Sequence, residues 1–205
     1  MENEIRSSKS ARCGAPESCS QAAGRCEPGP EGKLYVIGID PGLHRTGYAV
    51  LEPRQGALRE AGLIRPRRGS LPARLQELYM SLGELLEQYA PAQMALEELF
   101  SHYERPRTAI LMGHARGVIC LAAAVRGVEV FSYAATHVKR MITGSGHCPK
   151  AQMQRAICRQ LQLDELPEPS DVADALAVAV CHWYKQQRGV LDALRSPAKR
   201  LRDAR

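Results

Sequence analysis

The chain has 205 residues, 44% of them hydrophobic, which suits one folded domain with a buried core plus tails. It contains no run of about 18 apolar residues, and its first residues lack the basic start and apolar core of a secretion signal, so we expect neither a membrane-spanning nor a secreted protein. The net charge of +6 comes mostly from residues 185–205, which carry seven Lys and Arg against two acids. Such a tail is consistent with a nucleic acid partner, although basic tails also occur as plain solvated ends.

Residues 1–32 are rich in Ser, Gly, Pro, Ala and Arg and contain almost no large apolar residues. This composition predicts a disordered extension, because too little apolar surface is available to offset the entropy of ordering. We therefore expect a folded domain over residues 33–185 and a flexible basic tail over residues 186–205.

Three strand-like runs open the domain, at residues 34–40, 46–51 and 57–64. Their short, Pro- and Gly-containing links predict an antiparallel meander. An amphipathic helix follows, with Pro72 in its first turn and Pro91 beyond its end. Further along we expect strands at 94–99 and 128–133, and helices at 107–126, 136–142, 150–161 and 171–185. This order predicts an α/β domain with a mixed five-stranded sheet and helices on both faces.

Asp40 directly follows the apolar run Tyr35–Ile39. Near-continuous apolar strands are usually central and covered on both faces, so an acid at the end of one is a candidate site residue. The alternative is an aspartate that only opens the turn at Pro41 and Gly42. The stretch by itself does not decide between the two.

Two other places combine acids with apolar runs. Glu97 and Glu98 end a short strand, where alternation sends them to opposite faces, so only one can point to a given site. Asp171 and Asp174 are three residues apart at a helix start and share one face. Acids are also common in the first turn of a helix, so the alternative that this pair only stabilises the helix start stays open.

Taken together, these acids favour a metal site. Four carboxylates at one sheet edge would repel each other unless cations lay between them. Oxygen ligands without Cys or His suit Mg²⁺ or Mn²⁺. Two such ions roughly 3.5–4 Å apart support in-line displacement at phosphorus.

Five stretches in this order resemble the RuvC family, the bacterial Holliday-junction resolvases with a ribonuclease-H-like fold. They are GIDPGLHRTGYAV, LEELF, GHARG, YAATHVKRMITGSGHCPKAQM and DVADALAVAV, and the resemblance covers residues 34–184. It implies that the metal ligands are Asp40, Glu97, Asp171 and Asp174, and it selects Glu97 over Glu98. It also implies two Mg²⁺ ions per subunit, with Mn²⁺ as a substitute.

The resemblance further implies what the protein does and what it binds. We expect a homodimer that nicks four-way junction DNA once per active site, in partnership with the RuvA-RuvB branch-migration complex. The cysteines, seven in number and without a Cys-x2-Cys pair, fit a reducing cytosol and thus a cytoplasmic location.

Family positions also suggest DNA contacts. Phe100 matches an aromatic residue that stacks on an unpaired base, with an ordinary core phenylalanine as the alternative. Lys139 and Lys150 match basic positions near the scissile strand, and a lysine at a helix start indicates a phosphate partner. Arg116 is assigned to DNA as well, with a structural ion pair as the alternative. His44 and Arg45 lie beside Asp40, but we do not favour a DNA contact for them.

Two rival functions remain. One is another nuclease of the same fold, of the YqgF type or a ribonuclease H, against which the stretches DVADALA and HVKRMITGSG argue. The other is a catalytically inactive scaffold that binds junctions, against which the retention of all four acids argues.

Overall fold

The computed structural model describes residues 35–99 and 106–195. The N-terminal extension, Phe100 and the last ten residues lie outside the described ranges. The disorder of residues 1–32 and the stacking of Phe100 therefore stay predictions.

A five-stranded mixed sheet forms the centre of the domain. Its strands are β1 (Val36–Asp40), β2 (Thr46–Glu52), β3 (Ala57–Ile64), β4 (Gln93–Glu97) and β5 (Glu129–Tyr133). They lie in the order β3-β2-β1-β4-β5; β1, β2 and β3 pair antiparallel, whereas β4 runs parallel to β1 and β5 parallel to β4. The predicted meander, the mixed five-stranded sheet and the central position of the first strand are confirmed.

Within the described ranges, five helices cover the sheet: α1 (Leu71–Tyr89), α2 (Pro106–Val125), α3 (Ala135–Thr143), α4 (Lys150–Gln160) and α5 (Ser170–Arg195). Ser70 caps α1 by accepting a hydrogen bond from the Ala73 amide, and a proline lies in the first turn as expected. The prediction for α5 was wrong at its C-terminal end, because the helix continues ten residues beyond Lys185. Once a helix is nucleated by packing, each added residue costs little, so a polar sequence can extend it.

Helices lie on both faces of the sheet, as predicted. On one face α1 and α2 pack over a core that includes Ile37, Ile39, Met94 and Leu96. On the other face α3, α4 and α5 pack over a core that includes Ala49 and Ala95. Side chains alternate between the two faces along a strand. The core residues on each face therefore show which face a residue at the end of the same strand points to.

Two glycines let α5 approach the sheet closely. A Cβ atom at Gly38 would overlap the carbonyl oxygen of Ala175, and one at Gly47 would overlap the carbonyl oxygen of Asp171. Glycine inside a strand commonly marks such an approach of another backbone. The start of α5 is thereby brought against the ends of β1 and β2.

Helix α2 is the most apolar of the described helices. Among the described residues it is the one helix long and apolar enough to cross a membrane by length and composition alone. Ala115, Ile119 and Ala122 on one side are fully buried in the core. We therefore assign α2 as a core helix, and its other side exposes large apolar residues.

Candidate active site

Asp40 and Glu97 occupy equivalent positions at the ends of neighbouring strands. The parallel register pairs Gly38 with Ala95 and Ile39 with Leu96, so Asp40 and Glu97 follow side by side. Alternation places both acids on the face covered by α5, whereas Glu98 is exposed. The structure thus supplies a physical reason for choosing Glu97 over Glu98 as the site residue. Periodicity in the sequence could not make that choice.

Asp171 and Asp174 lie in the first turn of α5 and are partly buried. Since the Gly47 backbone contacts Asp171, this turn packs on the strand pair that carries Asp40. The structure therefore gathers all four predicted acids at one edge of the sheet. Their role as metal ligands stays a prediction at this point.

Burial and mutual repulsion raise the pKa values of two of the acids. Burial, and then the charges of Glu97, Asp174 and Asp171, raise the pKa of Asp40. Burial, followed by the charge of Asp174, likewise raises the pKa of Glu97 above its ordinary value. Carboxylates that repel each other in a desolvated position favour protonation or a bound cation.

Nearby basic side chains partly neutralise this cluster. The Lys150 ammonium, at the start of α4, lies 2.9 Å from Asp174 Oδ2 and donates to Ser170 Oγ at 3.2 Å. The Arg45 guanidinium lies 3.8 Å from Asp171 Oδ2. The charges of Lys150 and Lys139 both oppose the rise in the pKa of Glu97. Lys139 and Lys150 thus lie near the acids, and their predicted contacts with DNA stay predictions.

The chemistry of this donor set fits a divalent cation. The four side chains offer only carboxylate oxygens, the ligands that Mg²⁺ and Mn²⁺ prefer, and the Lys150 ammonium already places positive charge among them. As the side chains stand, no three His, Cys, Asp or Glu residues in the described ranges are arranged to hold an ion. One of the four acids, Asp174, is engaged by the Lys150 ammonium in an ion pair.

Arg116 reaches the site from α2. Its guanidinium donates to the backbone carbonyl of Glu97, and to Ser132 Oγ at 2.6 Å. It therefore joins α2 to the ends of β4 and β5. These hydrogen bonds are structural, though not an ion pair, and the DNA contact predicted for Arg116 stays a prediction.

Some contributors were missed in the sequence. Ser170 accepts a hydrogen bond from Lys150, and nothing in the sequence pattern indicates this contact. The close approach at Gly38 and Gly47 had a visible signal, since both are glycines inside apolar strands. His44 contacts Arg74, whose guanidinium also donates to the Leu43 carbonyl at 3.0 Å and ties α1 to the β1–β2 loop.

Comparison with known proteins agrees with this arrangement. The family model described as "Crossover junction endodeoxyribonuclease RuvC" matches residues 36–182. A protein of that name from Rhodopirellula baltica is 55% identical over 169 residues, which span 80% of this chain and 94% of the relative. The solved structure of RuvC from Thermus thermophilus superposes with a TM-score of 0.70 at 30% identity, covering 76% of this chain and 97% of that one. A second, of T. thermophilus RuvC in complex with Holliday junction substrate, superposes with a TM-score of 0.68 at 28% identity, covering 75% and 96% of the two chains.

Proposed function

The chain belongs to the RuvC family of crossover junction endodeoxyribonucleases, and we propose that it resolves four-way DNA junctions by Mg²⁺-dependent nicking at the acid cluster. The observation that carries this proposal is the convergence of Asp40, Glu97, Asp171 and Asp174 at one sheet edge, with Lys150 among them. Repulsion between buried carboxylates supports a cation-binding role over a purely structural one.

The four acids would hold the divalent ions, two per subunit, with Mn²⁺ able to substitute. Bound Mg²⁺ would lower the pKa of an attacking water and stabilise charge on the leaving oxygen. Lys150 and Lys139 supply positive charge for the scissile phosphodiester. Arg116 fixes the ends of β4 and β5 through Glu97 and Ser132, which keeps the Glu97 carboxylate in place. A family resemblance supports cleavage to a 5′-phosphate and a 3′-hydroxyl.

Two nicks on one junction require two active sites, and the exposed side of α2 is a suitable dimer surface. Ile110, Leu121 and Val125 on this side are 60%, 55% and 63% exposed. Ile110 and Leu121 border a groove of about 430 Å³ that Gly113 and Gly117 also line. A Cβ atom at either glycine would meet nothing within 4 Å, so a second helix can approach the backbone here. We assign this apolar face to a second copy of the chain.

Family membership also supports the RuvA-RuvB complex as a partner. The cysteine pattern supports a cytoplasmic location. Both remain predictions.

The direct test is nicking by the purified full chain. We expect nicks on a synthetic four-way junction in Mg²⁺, and none on a linear duplex or an RNA–DNA hybrid of the same sequence. Preferred cleavage of the hybrid would favour a ribonuclease H. Tight junction binding without nicking, in Mg²⁺ or Mn²⁺, would favour the inactive scaffold.

A further inference from the structure

The loop between β3 and α1 leaves the sheet at the same edge as the acids. Ile64 at the end of β3 pairs with Thr46 at the start of β2, and Gly47 on β2 pairs with Asp40. The chain emerging from Ile64 therefore begins two strands away from Asp40. At about 4.8 Å between neighbouring strands, that separation is about 10 Å.

This loop is the most basic segment of the described chain that the nicking chemistry does not use. Residues 61–76 contain four arginines and no acid. Three of the four lie at positions 65, 67 and 68, and all three are exposed. Three arginines within four positions concentrate positive charge on this loop.

The arginines differ in what they contact. Arg67 pairs with Glu77 through its guanidinium at 3.2 Å, and its backbone amide donates to Glu77 at 2.7 Å. The fourth, Arg74, is held by the β1–β2 loop. Within the described residues, Arg65 and Arg68 pair with no acid. Glu77 therefore fixes the backbone of the loop, while Arg65 and Arg68 keep their charge available.

Arg45 makes this positive charge continuous with the active site. It lies in the β1–β2 loop between the two regions, its side chain is 55% exposed, and it contacts Asp171 at 3.8 Å. Positive charge thus extends from Lys150 and Arg45, beside the acids, to Arg65 and Arg68, beyond β2. A polyanion lying across the strand ends would meet cations along this whole line.

We propose that Arg65 and Arg68 bind the phosphate backbone of a junction arm next to the scissile phosphate. The contact is independent of sequence and positions the arm, as phosphate contacts do. This inference rests on the proposed function, since it assumes that the scissile phosphate lies at the acid cluster.

The test is the salt dependence of junction affinity for the double variant R65Q/R68Q. The matched control is R54Q/R159Q, which removes the same charge from two exposed arginines that also pair with no acid among the described residues. Arg54 lies in the β2–β3 turn at the opposite sheet edge, and Arg159 lies at the far end of α4 from Lys150. Melting temperatures of both variants check that they fold.

We expect R65Q/R68Q to reduce the slope of log affinity against log salt by roughly two per subunit, and the control to keep the wild-type slope. A wild-type slope for R65Q/R68Q, or an equal reduction in the control, would overturn the arm contact. Absence of nicking by the wild type itself would instead overturn the proposed function.

Discussion

The Nζ atom of Lys150 lies 2.9 Å from Oδ2 of Asp174, which joins the first residue of α4 to the first turn of α5. A lysine at a helix start is unfavourable for the helix dipole, so the acid cluster compensates for its position. The same ammonium lies beside the acids at which we propose that the scissile phosphate binds. Lys150 therefore neutralises part of the acid cluster in the free protein and, in our proposal, binds phosphate when the substrate is present.

Replacing Lys150 tests this connection. We expect Lys150→Ala to weaken junction binding and to reduce the salt slope of affinity by roughly one phosphate contact per subunit. Arg155→Ala is the matched control, since it removes an exposed cation from the same helix, one turn and a half further along. Equal binding and equal slopes for the two variants would remove Lys150 from the DNA contacts.

The two adjacent glutamates give a sharp test of the register. We expect Glu97→Gln to abolish nicking, because Glu97 lies beside Asp40 on the α5 face. Glu98→Gln should nick at close to the wild-type rate, because Glu98 is exposed on the other side of the strand. Initial nicking rates on one labelled junction in Mg²⁺ decide the matter. The reverse result would show that the ligand had been misplaced by one residue.

The close approach of α5 to the sheet can be probed with a methyl group. Gly47→Ala places a Cβ atom against the Asp171 carbonyl, so we expect a loss of about 1–3 kcal/mol in the free energy of unfolding, together with slower nicking. Gly189→Ala, on α5, is the control, because the new Cβ atom meets nothing within 4 Å. That control should gain up to about 1 kcal/mol from helix propensity. Urea unfolding measures both, and equal changes would remove the proposed packing constraint.

The dimer surface is tested by charge. We expect Ile110→Glu to give a monomer in light scattering at concentrations where the wild type is a dimer, because a carboxylate would be buried against the second helix. Met80→Glu is the control, an exposed apolar residue of α1 that is 56% accessible. An Ile110→Glu protein that keeps the dimer mass would place the interface elsewhere.

Much of the fold could be predicted from the sequence because its signals are local. Turn residues and alternating runs gave the meander, and leucine spacing gave α1. The end of β4 was less visible: the predicted strand extended to Leu99, but regular pairing with β5 ends at Glu97 opposite Tyr133. The end of α5 was also hidden, since a polar sequence continuing a packed helix resembles a tail.

The candidate site, too, could be predicted only in part from local sequence signals. Each acid was visible as a carboxylate beside an apolar run, but their convergence depends on tertiary contacts that periodicity does not encode. Those contacts include the approach of α5 at Gly38 and Gly47 and the hydrogen bonds from Arg116. The family resemblance, and not the spacing, selected Glu97 over Glu98.

The most direct measurement of the central claim compares the wild type with Asp40→Asn on one labelled four-way junction, following binding and nicking in the same samples. Asp40 lies deepest in the repulsive cluster, while affinity comes mainly from basic contacts to phosphate. We predict that Asp40→Asn binds the junction at least as tightly as the wild type and gives no nicks above background in Mg²⁺, and that the wild type loses nicking when Mg²⁺ is removed. Nicking by Asp40→Asn at close to the wild-type rate would contradict the assignment of this acid cluster as the active site.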